Sequence, residues 1–364
     1  MDRQQVMAYR IAAQGLHRET ADPHDLAVFD LGVQDNQRGG PAIALAARLS
    51  TPADPGDDRF ALLWSHRGAP HLHRRQDRKT LVAGLVPLSE TDAQARMNWQ
   101  RAQVARAGVA AAEALAVTAK ALRKAVGKTM TKGAASTAVT KLVPDGFSVW
   151  CRGCGATHIL EQLMRLAAPL AGLELVRDAS PATLTPMENR GPVPAKPDVA
   201  AATAVMAAYL RLHGPATPGD AGGFSGTTAT VAKDMWPSDL AEVQVDGKKR
   251  YLPADALALL ENPPEPDVVR LLPPSDPLLQ ARDRDLLVPE KPHQKEIWKI
   301  LGNPGALLAD GEIAGVWRPK TSGKRLSIAV TSFWPLDPGT QNRVGEEAEL
   351  VAAARGLTLA KVDW

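Results

Sequence analysis

Only two cysteines, Cys151 and Cys154, occur in 364 residues. They exclude a disulfide framework as the source of stability. Aromatic residues are scarce, at 4%, and alanine is abundant, which favours helices. No run of 18 apolar residues exists, so no transmembrane helix is expected. Residues 1–10 carry charges throughout and lack the apolar centre of a signal peptide. A cytoplasmic location without membrane association follows as the expectation. No Ser-His-Asp arrangement or paired-carboxylate signature stands out. The run Gly222-Gly223-Phe224-Ser225-Gly226 lacks both the Gly-Lys-Ser/Thr ending and the preceding strand of a phosphate loop, and reads as a flexible helix–helix connection. Cys151-x-x-Cys154 with His158 begins like a zinc site, but no second ligand pair follows. A reduced pair beside a strand end is expected, with no metal.

What is present is a length beyond one ordinary core, predicting two to four domains, and an uneven charge distribution. Residues 101–165 hold ten Lys/Arg against three Asp/Glu, while residues 253–290 hold three against eight. A basic segment suits a polyanion, because neutralised phosphates release counterions. A solvated helix face explains such a run equally well.

Hydrophobic spacing predicts an α+β chain. Residues 1–16 read as a helix ended by Gly15, residues 25–34 as a second, and 38–49 as a third with Pro41 in its first turn. Two strand-like runs, 60–64 and 69–73, follow. Three helices and a ribbon form the winged-helix order, a variant of helix-turn-helix. A long alanine-rich helix is expected over 99–126, a short one over 134–142 and a strand over 147–151. Residues 179–198 look like a linker or extended hairpin. Helix 200–212, two shorter helical runs and a hairpin at Asp246-Gly247 repeat the order. After an irregular, proline-punctuated run at 271–277, strands at 306–308, 312–318 and 326–330 and a closing helix over 346–355 predict a small antiparallel β domain.

An ordered set of residues carries a resemblance along nearly the whole chain. It comprises Arg10 with Gln14-Gly15-Leu16, Leu31-Gly32-Val33-Gln34, Arg67-Gly68 with His71, and Leu212-His213-Gly214-Pro215 with Asp220. Val245-Asp246-Gly247, Leu271-Leu272-Pro273 with Asp276-Pro277 and Arg284, Asp310-Gly311, Gly315-Val316-Trp317-Arg318 and Glu347 complete it. In these the chain resembles the winged-helix DNA-binding family that includes the AlkZ and YcaQ DNA glycosylases. The resemblance implies three tandem winged-helix modules forming a positively charged concave surface, followed by a small C-terminal β-barrel-like domain. The modules would occupy residues 1–95, 96–178 and 199–262, and the barrel 263–364. It also implies excision of bulky or cross-linked N-alkylated purines from double-stranded DNA, without cofactor. A monomer suffices and no obligatory protein partner is expected, since one chain supplies several DNA-contacting elements.

The family's catalytic motif is Gln-x-Gln or Gln-x-Asp near a helix end in the first module. The matching triplet here is Gln34-Asp35-Asn36, with Asn36 where the second Gln or Asp would stand. An alkylated purine carries a ring charge and leaves readily, so the enzyme must stabilise an oxocarbenium-like sugar and place a water beneath it. Amides can place the water, but only a carboxylate can take its proton at neutral pH. Three outcomes stay open: Asn36 positions the water, Asp35 serves after a backbone adjustment, or the site is inactive. Gln37 is a further candidate. Without the family pattern the triplet reads as a polar helix end before Gly39-Gly40. Arg67, His71, His73, Arg74 and Arg75 are candidate DNA contacts at the first ribbon, against a solvated basic turn. Lys128, Thr131, Lys132, Ser136, Thr137 and Lys141 suit phosphates near helix N-termini. Asp276 and Arg284 read as structural and Trp317 as core. The readings that compete are a monofunctional DNA glycosylase, a non-catalytic winged-helix DNA-binding or regulatory protein, and a protein-interaction scaffold.

Overall fold

The computed structural model describes residues 1–364 except Arg38, Pro55 and Ile300. Packing divides the chain into two units. One collects Met1–Asp57, Ala207–Asp220 and Ser238–Trp364; the other collects Asp58–Met206 and Ala221–Pro237. No helix among the described residues is long and apolar enough to cross a membrane.

The first unit begins with helix Arg3–Ala13, capped by the Asp2 carboxylate, which accepts from the Gln5 N–H at 2.9 Å. Its apolar residues Val6, Met7, Tyr9 and Ile11 are buried. The helix expected over 25–34 is absent. In its place are two short 3-10 turns, Pro23–Asp25 and Ala27–Asp30, and a strand, Val33–Gln34. The run is too rich in β-branched and aromatic residues, and too close to Gly32 at φ +82°, to sustain a helix. Helix Gly40–Ala46 follows, with Pro41 in its first turn. Helix Val199–His213 and helix Pro218–Ser225 each have residues in both units, helix Ala229–Asp234 belongs to the second, and the hairpin Leu240–Val245/Lys248–Pro253 to the first; along the chain they keep the expected order. Asp246 and Gly247 form its turn, both at positive φ.

The C-terminal sheet of this unit is larger than expected. Strands Val269–Leu272, Gly305–Ala309, Glu312–Ser322 and Arg325–Ser332 pair antiparallel in chain order. Thr358–Asp363 joins in parallel after the crossover helix Pro338–Ala354. The first and last strands escape periodicity because one lies beside prolines and the other is half-exposed. Trp317 is 1% exposed among Val269, Leu307, Ile328, Val344 and Val351, and donates to the Leu272 carbonyl at 2.8 Å. It is core, as its neighbours in sequence suggested.

Under this sheet four arginines are buried or half-buried with partners distant in sequence. Arg48 and Asp276 have fully buried side chains and share two hydrogen bonds of 2.8 Å. Arg48 also donates to the carbonyls of Gln14 and Ala44, each at 2.9 Å. Arg10 forks onto Asp283 at 3.0 and 2.7 Å, and Arg18 onto Glu347 at 2.8 and 2.9 Å. Arg270 donates to the Leu16 and Ala47 carbonyls. Asp276 is thus structural, as expected. Arg284 lies over the Trp298 ring at 4.6 Å.

In the second unit the hairpin Phe60–Trp64/Pro70–Arg74 lies beside Leu173–Leu175, then Thr183–Pro186, then Met130–Thr131. Residues 179–198 therefore contribute a strand to this sheet. Helices Ala111–Ala125 and Glu161–Leu170 pack on one another over a core of Leu115, Leu122, Leu163 and Met164. The single long helix expected over 99–126 is broken into Arg101–Arg106 and Ala111–Ala125, with Gly108 at φ +70° in the break. Gly222 and Gly223 are not a flexible connection but lie inside helix Pro218–Ser225. A Cβ on Gly222 would stand 2.9 Å from the Thr228 carbonyl, so close chain approach accounts for that glycine.

Removing one partner of the Arg48–Asp276 pair leaves a buried charge uncompensated. Asp276→Ala is expected to cost about 3–5 kcal/mol in urea unfolding. A loss below about 1 kcal/mol would show that the pair carries little weight.

Candidate active site

The Gln34-Asp35-Asn36 triplet lies in the first unit between two glycines in the left-handed region, Gly32 at φ +82° and Gly39 at φ +77°. Side chains at either glycine would be strained, so the chain turns sharply on both sides of the triplet. Gln34 ends the strand Val33–Gln34, not a helix. It is buried, and its Oε1 has no hydrogen-bond partner among the described residues. A buried amide oxygen without a donor costs free energy unless a ligand or water supplies one. Asp35 is half-buried, and Asn36 and Gln37 are exposed.

The first ribbon belongs to the second unit and differs from a solvated basic turn. His66, His71 and His73 are 2%, 1% and 2% exposed. The Ser65 hydroxyl sits 2.9 Å from both His71 Nδ1 and His73 Nε2. The His66 ring lies 4.9 Å from that of Phe224, centroid to centroid. Nε2 of His66 and of His71 lacks a partner among the described residues. Such burial does not fit the expectation that His71 and His73 reach phosphates. His71 and His73, two apart on the strand, share one face, and both are buried.

The neighbouring arginines are engaged within the unit. Arg67, at φ +59°, holds its guanidinium over the Phe224 ring at 4.8 Å and donates to the Phe224 carbonyl. Arg74 is buried and lies 3.5 Å from Asp77. Arg75 pairs with Glu174 at 3.2 Å and donates to the Asp58 and Phe60 carbonyls. Of the second basic set, Lys128, Thr131, Thr137 and Lys141 are exposed, and Ser136 and Lys132 half-buried. The Thr131 hydroxyl caps helix Lys132–Thr140, accepting from the Ala134 N–H at 3.2 Å. Lys132 pairs with Glu161 at 2.6 Å. Lys141 stands at the helix C-cap, not near its N-terminus. Thr137 and Lys141, four residues apart, share one helix face. In the first unit, a depression of about 610 Å³ is lined by Asp2, Glu261, Glu265, Asp310 and Glu312. Its charge repels a phosphate backbone.

Sequence reasoning missed Ser65 and His66 in this cluster, and Arg48 in the buried ion-pair network. No local spacing marks them. The excess of histidine over residues 66–73 was the available signal for the cluster.

The fold is similar to that of the Streptomyces sahachiroi DNA glycosylase AlkZ, with a TM-score of 0.75 over 100% of this chain and 99% of that one, at 20% identity. No relative is found among curated protein sequences. The family model for DNA glycosylase AlkZ-like proteins matches residues 28–354, and the chain belongs to that family. Membership makes it a DNA glycosylase, a hydrolase of the bond between base and sugar with DNA as its substrate.

Burial holds His66 and His71 well below the ordinary histidine value of 6.5 and pushes His73 down to about 3. The unfolded chain takes up these protons near pH 6.5, whereas the native state does not. Stability is therefore fully present above that value and falls as pH drops below it, until the native histidines themselves protonate. His73 by itself removes about 2 kcal/mol between pH 7 and pH 5. His73→Gln should give a shallower fall in urea midpoint over that interval. An unchanged slope would show that His73 is already charged or solvated.

Proposed function

We propose that the chain hydrolyses the N-glycosidic bond of bulky or cross-linked N-alkylated purines in double-stranded DNA. It acts as a monomer, with Gln34, Asp35 and Asn36 as its catalytic residues. The observation that carries this reading is the buried, unpartnered Oε1 of Gln34 at the end of the strand Val33–Gln34. An acceptor held in that condition is suited to a water or a sugar hydrogen. No amine stands in the triplet to form a covalent link to the sugar, so water is the nucleophile and the enzyme is monofunctional. The positive charge of the alkylated purine makes it a ready leaving group, and positioning supplies most of the remaining catalysis.

Gln34 and Asn36 are the two amides of the triplet, each able to donate and accept, and so the pair suited to orient the water. Asn36 then takes the position of the second Gln or Asp of the family motif. Asp35 is the carboxylate of the triplet and the group able to accept the proton that water releases. The reading includes three winged-helix modules. Their support is the order of helices and hairpin in 199–253, and the recurrence of helix Lys132–Thr140 before the hairpin Ser148–Cys151/Ala156–Ile159. Lys128, Thr137 and Lys141 are the exposed candidates for phosphate contact.

Duplex DNA carrying N7-methylguanine or a bulky N7 adduct, assayed for abasic sites, tests this. Gln34→Ala should lower the single-turnover rate on the order of 100-fold with little change in DNA affinity. Loss in Asn36→Ala but not in Asp35→Ala assigns the water to the two amides. Loss in Asp35→Ala alone assigns the proton acceptor instead. Tight binding without release of any adduct sinks the catalytic assignment. In the same DNA, affinity should fall steeply with salt, and Lys128→Ala with Lys141→Ala should each reduce the salt slope by about 1. A flat salt response would remove these lysines from the interface.

A further inference from the structure

Cys151, Cys154 and His158 lie on the hairpin Ser148–Cys151/Ala156–Ile159 of the second unit and have no part in the proposed glycosylase chemistry. Their ligand atoms all lie within 4.8 Å of one another. The register sets Cys151 against Ala156 and Val149 against His158. Cys151 and His158 are therefore diagonal neighbours on one face of the ribbon. Cys154 returns to them through the turn, because Gly155 adopts φ +61° and donates its N–H to the Cys151 carbonyl at 2.9 Å. The turn thereby brings both sulfurs and the His158 ring within reach of one small ion.

The histidine is oriented in the same sense. Its Nδ1 lies 3.0 Å from the Ile159 carbonyl oxygen. A carbonyl can only accept, so Nδ1 carries a proton and Nε2 is the ring nitrogen left to face a metal. Holding one ring nitrogen with a backbone carbonyl is how proteins fix the tautomer of a metal-binding histidine.

We propose that Cys151, Cys154 and His158 form a zinc site with three protein ligands and water in the fourth position. Two thiolates and an imidazole are the donor set that a borderline-soft divalent ion selects over magnesium or calcium. Three protein ligands with one open position is an established zinc arrangement. A tetrahedral site with Zn–S of about 2.3 Å needs sulfurs about 3.8 Å apart. The ligands must draw in by about an ångström at most, which a half-exposed ribbon end permits. The absence of a second ligand pair, which argued against metal in the sequence, excludes a closed four-ligand site and leaves the open one standing. Two thiolates neutralise the ion, so Arg152 at the tip keeps its charge uncancelled. The metal would clamp the turn 151–155 onto the strand that carries His158.

The full-length protein, purified under reducing conditions without chelator, tests this by elemental analysis and by exchange into cobalt. The expected result is one zinc per chain and, with cobalt, a thiolate-to-metal band in the near ultraviolet with the intense visible bands of tetrahedral geometry. Cys151→Ser and Cys154→Ser should abolish the near-ultraviolet band or halve it. His158→Ala should weaken zinc retention and shift the visible bands. Since Cys154 is exposed and Cys151 half-exposed, these variants leave the core intact, and unchanged circular dichroism verifies folding. Failure of the reduced protein to retain zinc on dialysis, an octahedral cobalt spectrum, or a His158→Ala spectrum identical to the parent would each overturn the proposal. So would a Cys151–Cys154 disulfide that forms in air in the presence of stoichiometric zinc.

Discussion

A guanidinium removed from water must find a partner for each donor, and the first unit is arranged around that constraint. Arg48 has no exposure. Its five N–H donors are met by the Asp276 carboxylate and by the carbonyls of Gln14 and Ala44, with the Gln14 side chain at 3.4 Å. No lysine could replace this fork, since a point charge cannot meet acceptors in that planar spread. The pair joins the N-terminal helices to the segment between the first two strands of the C-terminal sheet. It also fixes helix Gly40–Ala46, which follows directly on the triplet Gln34-Asp35-Asn36. The helix next to the candidate triplet is thus held in part by a charge pair buried some residues away. Arg10 with Asp283, and Arg18 and Arg270 around Glu347, repeat the same solution along the same seam.

Much of the fold was legible from periodicity and turn chemistry. Asp246-Gly247 marked its hairpin because only residues tolerant of positive φ close a two-residue turn. Trp317 read as core and proved so. The failures have physical causes as well. Residues 25–34 looked helical by spacing, yet glycine and β-branched residues favoured a turn and a strand. The alanine-rich run from 99 concealed a break at Gly108, because a glycine after several helix formers costs only about 1 kcal/mol in propensity and does not announce a stop. The strand Thr358–Asp363 pairs by an edge contact that no alternation reveals.

The site divides along similar lines. The family pattern located Gln34, but its backbone state and its unpaired oxygen belong to tertiary structure. His71 and His73 looked like a basic surface because sequence shows a side chain's chemistry and not its depth. Once buried, they are neutral ring systems sharing one hydroxyl, and their contribution is to packing and polarity within the second unit. The adjacent arginines show the same lesson for charge. Arg67 and Arg75 count toward a basic run in sequence, yet ring and carboxylate partners inside the unit occupy them.

The first unit is assembled from three separated stretches of chain, and this bears on how it is made. Arg18 must meet Glu347, and Arg48 must meet Asp276, across intervals of 329 and 228 residues. On a ribosome adding about 5–20 residues per second, the N-terminal 57 residues wait on the order of 15–60 s for the last of these partners. During that interval Asp58–Met206 has already emerged as one nearly continuous unit. The order of synthesis therefore favours completing the second unit while Arg10, Arg18 and Arg48 are still solvated. The segment bearing Gln34 is then among the first parts translated and among the last to acquire its native surroundings.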